Sequence, residues 1–225
     1  EFSDNEYLVM VTKNGVIKKT PASEYESIRK SGKIAITLKE GDELISIFKT
    51  TGNDNIFLAT RNGMAICFNE NDARAVGRTA SGVKAIDLAD GDYVVGAEPV
   101  REDSKVLLVT DGGYGKCTDL TSFRIQHRGG KGLKAYKITE KTGNIIGISM
   151  VNDSEELIMV TSEGVVIRIR IKDIATTTGR ITQGVRLINL NDGVTVVSMD
   201  KISAEDAVEE ESEENTEVTA ETTEE

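Results

Sequence analysis

Tryptophan is absent from the 225-residue sequence, proline occurs twice and histidine once. Two cysteines, Cys67 and Cys117, and the single His127 are too few soft ligands for a structural zinc site. The cysteines also lack metal-ligand spacing, so no metal is assigned. His127 sits in a glycine-rich stretch, which leaves no Ser/His/Asp or Cys/His constellation for nucleophilic catalysis. No GxxxxGK[ST] phosphate loop occurs. The acids are many but form no repeated pair, so no catalytic residue is assigned. Apolar runs are short, and none reaches the roughly 18 residues of a membrane span. The N-terminus lacks the charged and apolar regions of a signal peptide, so a cytoplasmic location is expected.

The formal net charge of −11 is unevenly spread. Residues 201–225 hold eleven acids and one lysine, a net of −10, so residues 1–200 carry 27 acids and 26 bases. The body is nearly neutral, and a neutral body can still present a basic face. The tail is rich in Glu, Thr and Ser without periodicity and is expected to be disordered.

What the sequence does have is a repeat. The stretches 11–19, 59–67, 109–117 and 160–168 align on Gly15, Gly63, Gly113 and Gly164, spaced 48, 50 and 51 residues apart. A second glycine, Gly32, Gly82, Gly132 or Gly184, opens a short strand such as Gly82-Val83-Lys84-Ala85-Ile86. A third, Gly41, Gly91, Gly143 or Gly193, turns into an apolar run. Asn14-Gly15 and Asn62-Gly63 are strong hairpin signals. Leu8–Val11 reads as a continuous, buried strand, and the strand after Gly15 as alternating, with Val16 and Ile17 followed by lysines. Four strands per unit of about 50 residues give an all-β, propeller-like array of four-stranded antiparallel blades. The blades are expected over 6–52, 55–103, 105–153 and 155–200. Helix is limited to single turns near Glu24–Ile28 and Asn71–Val76. Cys67 and Cys117 fall in equivalent strand slots of different blades, which argues against a disulfide. Tyr25, Ala73, Phe123 and Ile174 share another slot, an apolar peg under the loop rather than a base-stacking platform.

The loops carry cations in register. Arg29, Arg78, Arg128 and Arg180 each precede the second glycine by three or four residues, and Lys33, Lys84, Lys134 and Arg186 follow it. Lys30, Arg74, Arg124, Lys131 and Lys172 add to the set. Equivalent positions in a radial repeat lie on one rim, so these cations draw a basic arc suited to phosphates along a duplex, without base reading. The richest loop is Gln126-His127-Arg128-Gly129-Gly130-Lys131-Gly132, where glycines bring backbone N–H groups and positive charge near an anion.

The Thr-x-x-Gly hairpin, the later Gly-x-Lys strand, Tyr114–Thr118 and Gln126–Gly132 resemble the C-terminal DNA-wrapping domains of bacterial DNA gyrase A subunits. The resemblance runs from residue 1 to about 200, and an acidic tail after it also fits such subunits. It implies a β-pinwheel, in which neighbouring blades exchange a strand. It also implies sequence-independent DNA bending or wrapping that supports ATP-dependent supercoiling. The partners implied are double-stranded DNA, the rest of the A subunit with its catalytic tyrosine, and the gyrase B subunit. The chain itself needs no cofactor, since ATP and Mg belong to other domains. Family domains usually have six blades, and these four look like the last four, so an open arc with exposed end blades is expected. The family's hallmark box reads Gln-Arg-Arg-Gly-Gly-Lys-Gly and sits in the first blade. His127 departs from it, so Gln126–Gly132 is a box-like loop in which Arg128 and Lys131 contact phosphates. Two alternatives stand: the equivalent domain of the topoisomerase IV A subunit, and a protein-interaction propeller with no nucleic-acid role.

Overall fold

The computed structural model describes residues 5–27 and 30–203. Arg29 and the acidic stretch from 204 onward lie outside the described residues. The first repeat supplies β1 (Tyr7–Thr12), β2 (Val16–Pro21) and β3 (Leu44–Thr50). The second supplies β4 (Asn55–Thr60), β5 (Met64–Asn69), β6 (Val83–Lys84) and β7 (Val94–Pro99). The third supplies β8 (Lys105–Thr110), β9 (Tyr114–Asp119), β10 (Leu133–Lys134) and β11 (Ile145–Val151). The fourth supplies β12 (Glu156–Thr161), β13 (Val166–Arg170), β14 (Thr176–Thr177), β15 (Val185–Arg186) and β16 (Val196–Ile202). Among the described residues helix is confined to short 3-10 turns after each hairpin. Among the described residues no helix is long and apolar enough to cross a membrane.

The hairpins follow from local chemistry. The threonine of each Thr-x-x-Gly turn accepts the backbone N–H four residues on: Val16 to Thr12 Oγ1 at 3.2 Å, Met64 to Thr60 at 3.2 Å, Tyr114 to Thr110 at 3.2 Å and Val165 to Thr161 at 3.1 Å. These threonines are buried, so the hydroxyl supplies an acceptor that water cannot. The carboxylate after the third glycine ties the turns together: Asp42 accepts Asn14 N–H at 2.9 Å and Asp92 accepts Asn62 N–H at 3.0 Å.

Each short strand leaves its own hairpin and joins the sheet before it. β6 pairs with β2, β10 with β5 and β15 with β9, all antiparallel. The sheets therefore run β3-β1-β2-β6, β7-β4-β5-β10, β11-β8-β9 with β14 and β15, and β16-β12-β13. The expected four-stranded unit holds for the first two sheets. The third has five strands and the fourth only three, because no described strand pairs with the outer edge of β13. The first repeat's Lys33–Leu38 is not a strand. The exchange needs glycine at its start: a Cβ on Gly82 (φ +88°) would lie 2.5 Å from the Ile17 carbonyl oxygen.

β3, β7, β11 and β16 pack side by side as the inner strands. Three apolar cores fill the joints between blades. Val9, Ile17, Ile56, Ile66 and Phe68 join the first two blades. Phe57, Ala65, Val106, Leu108 and Tyr136 join the next two, and Leu107, Val109, Leu157 and Met159 the last two. The peg slot is buried in every blade, at Tyr25, Ala73, Phe123 and Ile174. Phe123 meets Phe57 edge-to-face at 4.9 Å. Cys67 and Cys117 are buried free thiols in β5 and β9, and burial pushes both up to about 11. The sequence expectation for the strand after Gly15 needs correction: Lys18 and Lys19 are buried, not alternating with water. Lys19 reaches the fully buried Glu70 at 3.1 Å and lies over the Tyr7 ring.

Candidate nucleic-acid interface

The arginine row is brought together by the strand exchange. Each described member sends its Nη1 to the carbonyl of the second residue after the preceding repeat's second glycine. Arg78 reaches Ile34 O at 3.0 Å, Arg128 reaches Lys84 O at 2.9 Å, and Arg180 reaches Lys134 O at 3.1 Å. These bonds string the loops of successive repeats into one arc. They also give the row a structural task, for all three arginines are partly buried. The structure further shows that Lys33 is one residue out of register. Ile34, not Lys33, stands where Lys84 and Lys134 stand, and Lys33 Nζ bonds the Glu24 carbonyl at 3.2 Å.

Beneath two of these loops sits a lysine that sequence reading did not single out. Lys18 Nζ donates to the carbonyls of Ala35 and Arg78, and Lys116 Nζ to those of Arg180 and Gly179. Both side chains are 1% exposed. Desolvation first, and then the neighbouring Arg78 or Arg180, push each ammonium down to about 8. The other two hairpins hold Ile66 and Ile167 in this slot. A cation in an otherwise apolar strand position was the available signal.

The box-like loop is packed by its own amides. Gln126 N–H bonds Cys67 O at 2.8 Å, and Gly129 N–H bonds Ala85 O at 2.6 Å. Arg128 N–H meets the Asp72 carboxylate at 3.2 Å, and Arg128 Nε meets Asp72 O at 2.8 Å. His127 Nδ1 is 3.2 Å from the same carboxylate, with the ring otherwise in solvent. These N–H groups therefore hold the loop against blade 2 rather than lining an anion nest.

The cations that are presented outward are a different subset. Lys30, Arg74, Arg124, Lys131, Lys134 and Lys172 are exposed. Arg74 and Arg124 occupy one slot, eleven residues after Gly63 and Gly113. Lys84 is exposed but pairs with Asp87 at 2.7 Å, which lowers that carboxyl's pKa. Arg186 is held by Tyr114 Oη at 2.9 Å and Asn189 at 2.9 Å. The arc thus has two layers: half-buried arginines that join repeats, and exposed lysines and arginines beside them. Among the described residues no cluster of three or more metal-binding side chains occurs.

Residues 6–51, 54–101, 104–152 and 155–203 match the family described as DNA gyrase C-terminal domain, beta-propeller. The DNA gyrase A subunit of Halalkalibacterium halodurans is 56% identical over 206 residues, which are 92% of this chain and 25% of that protein. A solved C-terminal domain of DNA topoisomerase IV is similar at TM-score 0.87 and 30% identity, over 93% of this chain and 66% of that one. A solved DNA gyrase A C-terminal domain is similar at TM-score 0.80 and 26% identity, over 90% and 67%. The chain spans about a quarter of the length of the curated relatives it matches. It belongs to the DNA gyrase C-terminal domain family.

Proposed function

We propose that this member of the gyrase C-terminal domain family binds duplex DNA along the basic arc, without reading bases, and bends it. Within a full A subunit working with ATP and a B subunit, that bending supports negative supercoiling. The observation that carries the reading is the register of the loops. Arg78, Arg128 and Arg180 join neighbouring repeats by one bond type, so the exposed Arg74, Lys84, Arg124, Lys131 and Lys134 recur along a curved path. Phosphates recur along a duplex in the same manner, and a periodic row of cations needs no base contact to hold them. Affinity then comes from counterion release, and specificity from the ease of bending.

Binding to a duplex measured across salt tests this. Each phosphate engaged contributes about −0.9 to the slope of log K against log salt. Lys131→Ala with Lys134→Ala removes two exposed cations that carry no structural bond, and the slope is expected to shrink by about two. Arg128→Ala is a poorer probe because it also unpins the loop from Asp72 and Lys84. Binding that ignores salt, or a slope unmoved by the double substitution, favours the protein-interaction propeller instead. The likeness to the topoisomerase IV domain keeps that enzyme's A subunit as a second reading. Supercoiling against decatenation by the assembled full-length protein separates the two.

A further inference from the structure

Each joint between repeats has a corner where the residue after a hairpin glycine faces a basic residue of the next repeat's short strand. Val16 faces Lys84 in the first joint, Met64 faces Lys134 in the second and Tyr114 faces Arg186 in the third. The first corner is electrically closed, because Lys84 pairs with Asp87 at 2.7 Å. Three sequence changes open the third. Asn189 stands in the slot of Asp87, so Arg186 meets a neutral amide at 2.9 Å instead of a carboxylate. A phenol takes the place of Val16 and Met64. The step from Gly132 to Gly143 is eleven residues, against nine in the other repeats. Lys141, at the tip of this longer turn, lies over the Tyr114 ring with Nζ 5.6 Å from its centroid.

The third corner is held firmly. Thr139 N–H bonds Thr142 Oγ1 at 2.9 Å and Thr142 N–H bonds Thr139 Oγ1 at 3.2 Å, which closes the turn that carries Lys141. Thr142 is fully buried, and Tyr114 is 6% exposed. The Tyr114 oxygen accepts Arg186 Nε at 3.1 Å and Nη2 at 2.9 Å, with the guanidinium carbon 5.5 Å from the ring centroid. The Arg186 hydrogen bond, opposed by burial and helped by Lys141, holds the phenol's pKa below its ordinary 10.0. Both cations are exposed, and among the described residues neither forms an ion pair. Two like charges therefore meet at one neutral oxygen, and no carboxylate offsets their repulsion. Such a pair concentrates positive potential that an anion relieves. Arg186 spends three of its five N–H donors on Tyr114 and Asn189, and two remain.

We propose that Arg186 and Lys141, set in place by the Tyr114 oxygen, form a phosphate-binding subsite at the joint of the third and fourth repeats. The source favoured is a phosphodiester of duplex DNA, because Arg186 shares its slot with Lys84 and Lys134 of the arc; to that extent the subsite rests on the function proposed above. The free N–H groups of Arg186 and the Lys141 ammonium meet the two non-bridging oxygens of one phosphate with charge-assisted bonds. Tyr114 is a positioning residue: it grips the side edge of the guanidinium and leaves the rest of the group turned outward. Lys141 comes from the third repeat and Arg186 from the fourth, so one phosphate bridges two repeats. The Lys84 corner lacks this capacity, since Asp87 already answers its cation.

Duplex binding across salt and a tyrosine titration test the subsite. Lys141→Ala removes an exposed side chain and is expected to shrink the slope of log K against log salt by about one, which weakens binding roughly tenfold at about 0.1 M salt. Tyr114→Phe keeps the ring and both cations but frees Arg186, and is expected to weaken binding with a slope close to the parent's. A Lys141→Ala chain that binds as the parent does, while Lys131→Ala with Lys134→Ala still shrinks the slope, overturns the subsite and leaves the DNA reading standing. The ultraviolet titration of the phenols reads the corner without relying on DNA. The phase that Tyr114→Phe removes is expected to move to higher pH when duplex is added at constant ionic strength, because a phosphate beside the phenol disfavours the phenolate. A shift with inorganic phosphate but not with duplex supports the subsite and assigns it to free phosphate. No shift with either overturns it. A parent chain without salt-dependent duplex binding sinks the function proposed above, and the inorganic phosphate titration then decides the subsite alone.

Discussion

The hairpins at Gly15 and Gly164 begin from nearly the same sequence and end in different surroundings. Val11-Thr12-Lys13-Asn14-Gly15-Val16-Ile17 and Val160-Thr161-Ser162-Glu163-Gly164-Val165-Val166 make the same turn, closed by the same threonine bond. Ile17 is nevertheless sealed at 0% exposure, and Val166 is 61% exposed. The turn is a local object. What covers it comes from the next repeat, about 70 residues further on, as Val83 and Lys84 do for Ile17 and Val16. A blade in this fold is therefore finished by its neighbour, not by itself.

Substitutions in matched pairs test how much that finishing contributes. The largest contrast is expected between Ile17→Ala and Val166→Ala. The first empties a site inside the joint of two blades and is expected to cost about 2–5 kcal/mol. The second changes a surface residue and is expected to stay within about 0.5 kcal/mol. Urea midpoints measure both, and equal losses would mean that the fourth blade is covered in solution. The next contrast sets Gly82→Ala against Gly32→Ala. Both glycines have positive φ, +88° and +73°, so both variants carry about 1–2 kcal/mol of left-handed strain. Only Gly82 also presses on the Ile17 carbonyl, while Gly32 has nothing within 4 Å. Gly82→Ala is expected to cost about 1–3 kcal/mol more.

The smallest contrast lies between hairpins with a buried lysine and those with isoleucine. Lys18 and Lys116 titrate near 8 in the folded chain, below the ordinary lysine value of 10.5. Above pH 8 the unfolded chain therefore holds more protons than the folded one, and stability rises with pH. Cys67 and Cys117 oppose this above pH 9, because their folded thiols are pushed up to about 11 and the unfolded thiols ionise first. The net gain is confined to the window from pH 8 to 9. It amounts to about 1 kcal/mol per lysine at most, or roughly 2–4 °C of thermal midpoint. Lys18→Met with Lys116→Met is expected to flatten the rise, and a rise that persists in the variant would place the titration elsewhere.

Much of the fold was legible because its signals are local and repeated. Thr-x-x-Gly turns, apolar runs and the peg slot at Tyr25, Ala73, Phe123 and Ile174 need only a few residues each. Four copies in register leave little room for another reading. The candidate site was legible as a set of positions but not as a division of labour. Arg78, Arg128 and Arg180 look like free cations in sequence. They are partly buried because each caps a carbonyl 44 or 46 residues away. Arg74 and Arg124 looked secondary, and they are the exposed pair. Lys18 looked like a solvated strand residue and is buried under Arg78, 60 residues on.

The sequence by itself determined four repeats, their hairpins, the order of their strands and the glycines at which strands can approach closely. It did so because turn geometry and apolar periodicity act over a few residues, and chain connectivity carries them along. Tertiary structure alone decided which sheet each short strand completes, which cations are buried and which face water, and where the apolar surface is left open. Those outcomes depend on whether a neighbouring blade removes water from a given side chain. Ile17 and Val166, alike in sequence and opposite in burial, show that this is a property of the neighbour and not of the residue.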